Sequence, residues 1–306
     1  MELKENGLIE IKNLTKDYQN NRGIFDINLS INKGEMIGFV GTNGSGKTTT
    51  IRSILGFIKP TNGCAYVNGM ESWKNQDKIA KLVGYVPGEI AFPDLKTGVN
   101  FIKSQAEYKE ITDLSYADSL IKELQLDPKA NLKRMSKGMK QKTALVAALM
   151  ADSPIIILDE PTTGLDPLMR DAFLSIIKRE HEKGKTIFMS SHMFNEMEDT
   201  CDRVALISNG HIIDIVNMND IKNRSVVDFK IEFNDKESFE KFKNMGFKII
   251  RIQDDFNQYT IEIEKDKINE LFIKLKELDV KFISEVKYTL EKHFKEIMEE
   301  RQNEKE

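Results

Sequence analysis

The sequence is poor in cysteine, has no excess of basic charge and contains no long apolar run. Cys64 and Cys201 are its only cysteines in 306 residues. Two are too few for a disulfide framework or a zinc site, and both read as small buried hydrophobes. The formal net charge is −4, which leaves no basic footprint for nucleic acid. The longest unbroken apolar run, Ala144–Ala151, falls far below the ~20 residues that a membrane-spanning helix needs. The opening Met1-Glu2-Leu3-Lys4-Glu5 has no apolar signal core. No low-complexity tract or internal repeat interrupts the chain. What is present is 40% hydrophobic and 31% charged residues, in a chain long enough for one large domain or two. Such a chain is expected in the cytoplasm, and it can still sit at a membrane by docking on another subunit.

One stretch organises the rest. Gly41-Thr42-Asn43-Gly44-Ser45-Gly46-Lys47-Thr48 fits the phosphate-loop pattern G-x-x-x-x-G-K-[ST]. The apolar run Met36–Val40 before it reads as a buried strand, and Thr49–Gly56 after it as the first turns of a helix. The glycines let backbone N–H groups turn inward around an anion. The helix N-terminus adds partial positive charge at the same point. Lys47 would reach the β- and γ-phosphates, and the Thr48 hydroxyl would ligate Mg²⁺. Only one such loop is present.

Around it the pattern predicts alternating strands at Leu8–Leu14 and Ile27–Ile31, then short strands at Cys64–Val67 and Lys81–Val86. From about Phe92 to Arg134 the chain is mostly polar, with helical spacing in Val99–Tyr108 and Tyr116–Leu126. This predicts a helical insert, extended to about residue 150 by a helix over Lys137–Met150 that Ser136 caps. Asp171–Lys183 reads as an amphipathic helix and Thr186–Ser190 as a buried strand. Val204–Ile207 and His211–Asp214 flank Ser208-Asn209-Gly210 as a hairpin. A small α+β unit begins near residue 220, with strands at Val226–Phe233, Lys248–Ile252, Tyr259–Glu264 and Lys281–Val286. Helices over Asp235–Asn244, Lys267–Leu278 and Leu290–Arg301 complete it.

Ile155-Ile156-Ile157-Leu158 is a continuous apolar run, as in a strand buried on both faces of a parallel sheet. It runs straight into Asp159-Glu160. Asp159 at the strand end is placed to hold Mg²⁺. Glu160, one residue on, can polarise a water aimed at a γ-phosphate.

With these residues the chain resembles the nucleotide-binding subunit of an ABC transporter, of the ABC-2 or drug and antibiotic-peptide exporter type. Asp159-Glu160-Pro161-Thr162-Thr163-Gly164-Leu165-Asp166-Pro167 resembles the family's Walker B end and D-loop. Arg134-Met135-Ser136-Lys137-Gly138-Met139-Lys140-Gln141 resembles its signature sequence, and Ser190-Ser191-His192 its switch histidine. Tyr18 stands where the family has an adenine-stacking aromatic, for which its π-face is suited. The resemblance covers roughly residues 8–218. It implies a P-loop NTPase of ABC type, with N-terminal antiparallel strands in a mixed sheet, a RecA-like core and the helical insert. It also implies ATP and Mg²⁺ as cofactors and catalytic roles for Lys47, Glu160 and His192. Nucleotide contacts would come from Tyr18, Gly41, Asn43, Gly44, Ser45, Gly46, Thr48 and Thr49. Ser136, Gly138 and Met139 would face the phosphate loop of a second subunit, and Asp166 would bridge the two protomers. The implied partners are that second nucleotide-binding subunit, in a homodimer or heterodimer, and a transmembrane permease whose coupling helix docks on the insert.

The sequence departs from the family twice. The signature carries Lys137 where the family has its first glycine, which crowds the γ-phosphate or adds a cation beside it. After Gly84-Tyr85-Val86-Pro87 the family has a glutamine that senses Mg²⁺ and the membrane partner. Here Gly88-Glu89 follows, so Glu89 joins Thr48 and Asp159 as the candidate metal ligands. The alternative function is a non-transport ABC ATPase acting on the ribosome or DNA. Against it stand the single cassette and the short interval Ile51–Arg134, which holds no heptads. The ending Tyr288–Phe294 resembles the tail of exporter subunits. The alternation of helices with strands in that unit does not resemble the small β-barrel of sugar importers.

Overall fold

A computed structural model describes residues 7–303; the N-terminal Met1–Glu5 stretch lies outside the described residues. The chain divides into two compact units, Met1–Asn217 and Met218–Glu306.

The first unit opens with β1 (Ile9–Asp17), β2 (Gly23–Ile31) and β3 (Met36–Val40). Next come α1 (Lys47–Ile54), β4 (Asn62–Val67), β5 (Met70–Glu71), α2 (Gln76–Leu82) and β6 (Val83–Val86). The insert supplies α3 (Gly98–Tyr108) and α4 (Ser115–Glu123), followed by α5 (Lys137–Leu149). The remainder is β7 (Ile155–Asp159), α6 (Pro167–Glu182), β8 (Thr186–Ser191), α7 (Phe194–Thr200), β9 (Arg203–Ser208) and β10 (His211–Asn217).

These strands form two sheets. One is antiparallel, in the order β2-β1-β4-β5, and the other runs β10-β9-β3-β8-β7-β6. In the second, β9, β3, β8, β7 and β6 are parallel and β10 pairs antiparallel at the edge. Every residue of β3, β7 and β8 is buried, as covering both faces of a parallel sheet requires. Leu14, Ile27, Phe39, Ile51, Ile157 and Phe188 join the two sheets through one apolar core that also takes in α1.

In this unit several strand ends differ from the pattern, β2 beginning at Gly23 rather than Ile27 and β1 ending at Asp17 rather than Leu14; two helix starts also differ, and two helices were not visible in it. The helix after the phosphate loop begins at Lys47, two residues before the predicted Thr49, because Gly46 at φ 113° ends the loop in a conformation open to glycine. The amphipathic helix begins at Pro167, four residues before the predicted Asp171, with Asp166 as its N-cap. The helices α2 and α7 have only seven residues each, too few for a periodicity to emerge.

The second unit begins with the short α8 (Met218–Lys222). It continues as β11 (Val226–Phe233), α9 (Lys236–Lys243), β12 (Lys248–Gln253), β13 (Gln258–Glu264), α10 (Ile268–Leu275), β14 (Val280–Val286) and α11 (Leu290–Asn303). Its sheet is fully antiparallel in the order β12-β13-β11-β14. The βαββαβ order is the ferredoxin-like arrangement. One sheet face is apolar, and there Phe239 stacks on Tyr259 with ring centroids 4.3 Å apart and planes at 9°. The other face carries buried polar pairs: Gln258 Nε2 donates to Glu232 at 2.8 Å, and Lys292 pairs with Asp228.

Candidate functional site

Register brings the motifs together. Val40 pairs with Ser191 between β3 and β8, and Asp159 pairs with Ser190 between β7 and β8. The three strands therefore end at one edge, where open parallel sheets bind ligands. The phosphate loop leaves β3 there, Glu160 leaves β7 and His192 leaves β8.

Lys47 is 5% exposed. Its Nζ donates to the carbonyls of Gly41 at 2.8 Å and Thr42 at 3.1 Å, and lies 3.3 Å from Glu160 Oε1. His192 Nδ1 is 3.3 Å from the other Glu160 oxygen. Thr163 Oγ1 donates to that same oxygen at 3.4 Å. Glu160 itself sits at φ 47°, in the left-handed region that costs a non-glycine residue energy. Its N–H donates to Ser190 O at 3.2 Å and Ser190 Oγ at 3.1 Å, which holds the strained turn against β8.

Asp159 is fully buried. Its Oδ1 accepts from Ser190 Oγ at 2.6 Å, while its Oδ2 has no hydrogen-bond partner among the described residues. An unpaired carboxylate oxygen at depth is what a bound cation completes. Gly88 lies beside it. A Cβ there would stand 3.1 Å from Asp159 Oδ2, so glycine keeps that space clear. Burial, followed by the Asp159 carboxylate, pushes the neighbouring Tyr85 phenol up to about 12.

A cleft of about 530 Å³ is lined by Lys47, Glu160, Thr163 and Gly88, while Asp159 and His192 lie outside its lining. Asn43, Gly44, Gly46, Lys47, Thr48 and Thr49 line its floor. The first turn of α1 has no intrahelical acceptors for its N–H groups, which suits an anion. Tyr18 lines the cleft with its ring half-exposed, after which Gln19, Asn20 and Asn21 turn the chain at positive φ. Exposed Glu89 also borders it. Gly41 and Ser45 lie in the loop without lining the cleft, and Ser45 Oγ is buried without a partner among the described residues.

Ser136, Gly138, Met139 and Asp166 stand apart from this cleft. Ser136 is exposed and caps α5 by accepting from Met139 N at 3.3 Å. Asp166 is exposed and caps α6, accepting from Met169 N at 3.0 Å. From the signature segment only Lys137 reaches the cleft, alongside Thr163 and Glu160.

Sequence reasoning passed over Gly23, Arg52 and Thr163, all of which line the cleft. Arg52 had a usable signal, since it stands four residues after Thr48 on one helical face. Gly23 is brought in only by the pairing of β1 with β2.

Among the described residues no helix is long and apolar enough to cross a membrane, and no three His, Cys, Asp or Glu side chains gather as a metal cluster. Comparison with known proteins agrees with the geometry. The ABC transporter family is matched over residues 24–163. The bacitracin transport ATP-binding protein of Bacillus licheniformis is 30% identical over 297 residues, spanning 94% of this chain and 96% of that protein. The SkfA peptide export ATP-binding protein of Bacillus subtilis is 32% identical, over 67% of this chain and 87% of that protein. The dimeric structure of a bacterial ABC transporter cassette superposes with a TM-score of 0.62 at 25% identity, covering 69% of this chain and 98% of that one. The chain belongs to the ABC transporter family, and it is an ATP-binding subunit whose hydrolysis of ATP powers a membrane transporter.

Proposed function

We propose that this chain drives export, working with a second nucleotide-binding subunit on a transmembrane permease at the inner face of the cell membrane. The observation that carries the reading is the meeting of Lys47, Glu160 and His192 at the ends of three adjacent parallel strands. The names of the two curated relatives, bacitracin transport and peptide export, support export.

Lys47 and the first turn of α1 would hold the phosphates, with Tyr18 against the adenine ring. Thr48 and Asp159 would hold Mg²⁺, with Glu89 as the further candidate. One carboxylate, one hydroxyl, phosphates and water suit that ion. When bound, it neutralises charge on the phosphates. Glu160 takes a proton from the attacking water, and His192 orients Glu160 and the γ-phosphate. Ser136, Gly138 and Met139 are placed to meet the nucleotide of the second subunit, since they stand outside this chain's own cleft. Closure of that pair on ATP and its opening after hydrolysis would move the permease.

A second opening of about 190 Å³, lined by Phe57, Tyr85, Gln105 and Tyr108, lies between the insert and the sheet core. Phe57 is 54% and Tyr108 53% exposed. Apolar rings left open beside a cavity mark a docking surface, and this one suits the permease's coupling helix.

The test is mild-detergent purification of the chain from native membranes. Stoichiometric recovery of a multi-span membrane protein is expected, and its loss when Phe57 and Tyr108 are both changed to Ser. Recovery with ribosomes or DNA, or alone in the soluble fraction, would overturn this reading of export on a permease.

A further inference from the structure

Glu196, outside every motif described above, is 98% buried on the short helix α7. Its Oε2 accepts two hydroxyls. One is Ser191 Oγ at 2.9 Å, and the other is Thr162 Oγ1 at 3.1 Å. Ser191 ends β8 one residue before His192, and its Oγ also accepts from Met193 N at 2.9 Å, on the far side of that histidine. Thr162 lies in the turn between Glu160 and Asp166, where its carbonyl accepts from Leu165 N at 3.0 Å. One carboxylate oxygen therefore ties the segment carrying His192 to the segment carrying Glu160.

The arrangement is costly for a purely structural acceptor. Glu196 Oε1 is buried with no hydrogen-bond partner among the described residues. A buried carboxylate left half satisfied is harder to accommodate than an apolar side chain of the same size. Such violations of good packing chemistry concentrate at functional sites. Here the feature held in place is the spacing of His192 Nδ1 and Glu160 Oε2, 3.3 Å apart. Glu160 is already strained at φ 47°, so a released turn would relax away from that spacing.

We propose that Glu196 is a positioning residue for ATP hydrolysis, fixing the Glu160–His192 pair through the hydroxyls of Thr162 and Ser191. It does not line the cleft. The inference rests on the proposed roles of Glu160 and His192, whose own failure would show separately as normal turnover in Glu160→Gln.

Three variants of the full chain test it by steady-state ATPase kinetics. Misplacing a catalytic group by about 1 Å costs on the order of 10²-fold in rate. Glu196→Ala is therefore expected to lose ~10²-fold in kcat with KM for ATP held within about 2-fold. Glu196→Gln keeps a carbonyl oxygen for both hydroxyls and is expected within about 3-fold of the parent kcat. Thr162→Val removes one tie, is the mildest change to folding, and is expected to lose ~5-fold in kcat with KM unchanged. Should Glu196→Ala fail to fold, the other two decide. Normal kcat in Thr162→Val, Glu196→Gln as slow as the alanine variant, or a loss confined to KM would each overturn the proposal.

Discussion

Lys47 Nζ lies 3.3 Å from Glu160 Oε1 while it also donates to the carbonyls of Gly41 and Thr42. The ammonium that would grip phosphate thus holds the carboxylate that would activate water. A γ-phosphate entering the loop competes for the same three donors, and Lys47 has no more than three. On the proposed roles, phosphate binding would free Glu160 for its water at the moment a substrate is present.

This coupling sets the first prediction. Glu160→Gln keeps the side-chain shape and an acceptor for Lys47 but cannot take a proton. ATP affinity is expected to stay within a few-fold of the parent, measured by equilibrium titration, while turnover falls ~10²–10⁴-fold. Near-normal turnover would refute Glu160 as the base.

The space beside Asp159 leads to the second. Gly88 sets no side chain against the unpartnered Asp159 Oδ2, and Glu89 borders the cleft that contains Thr48. If Glu89 contributes to the ion, Glu89→Ala raises the Mg²⁺ concentration for half-maximal ATPase several-fold and leaves ATP affinity without metal unchanged. Asp159→Asn abolishes the Mg²⁺ response. A Mg²⁺ titration of both variants decides, and an unmoved midpoint in Glu89→Ala removes that residue from the metal site.

How much of this was readable follows from sequence separation. The phosphate loop and Asp159-Glu160 are contiguous, so residue order alone displays them. The insert showed in its helical spacing, and Ser136 as an N-cap in its position. What could not be read depends on register. Nothing in the order of residues says that Asp159 pairs with Ser190, 31 positions later, or that Glu196 meets Thr162 across 34. The short helix α7 has no periodicity to announce it, and it carries Glu196. The reach of Lys137 into the cleft likewise depends on how the turn at Gly164 packs under its stem.

Glu180 provides the third prediction. It is fully buried, yet it accepts from Tyr116 Oη at 2.5 Å and Lys183 at 2.7 Å and pairs with Lys185. Arg179 adds a two-pronged contact to Glu123, with distances of 3.3 and 3.0 Å. These bonds fasten α4 of the insert to α6. Burial opposes the Glu180 charge, but the hydrogen bonds from Lys183, Lys185 and Tyr116 outweigh it and hold the carboxyl below its usual range. A depressed carboxyl contributes its full stability above the ordinary value of about 4.5 and loses it as pH falls through the lower native value. Glu180→Gln is therefore expected to unfold with a shallower dependence on pH below about 4.5. Tyr116→Phe removes one bond to a charged acceptor, costing ~1.5–3 kcal/mol at pH 7, which lowers the melting midpoint by about 2–4 °C per kcal/mol. Thermal melts across pH check both, and a melting midpoint unmoved in Tyr116→Phe would count against the clamp.

The last prediction concerns Gly138 and the turn it packs on. A Cβ at position 138 would stand 2.6 Å from the carbonyl oxygen of Gly164, and backbone cannot yield as a flexible side chain does. Gly164 at φ 87° is itself held under the Lys137 stem. The start of α5 and the turn that leads to Asp166 are therefore in direct contact, and both are proposed to face the second subunit. Gly138→Ala must push them apart. Both segments reach this chain's own cleft, through Lys137 and Thr163, but neither belongs to the phosphate loop, so ATP binding to a single chain is expected to stay within a few-fold of the parent. What fails is pairing: in a Glu160→Gln background, ATP-driven dimer formation measured by light scattering is expected to drop ~10-fold, about 1.4 kcal/mol of association. Undiminished ATP-driven pairing in Gly138→Ala would remove this segment from the interface.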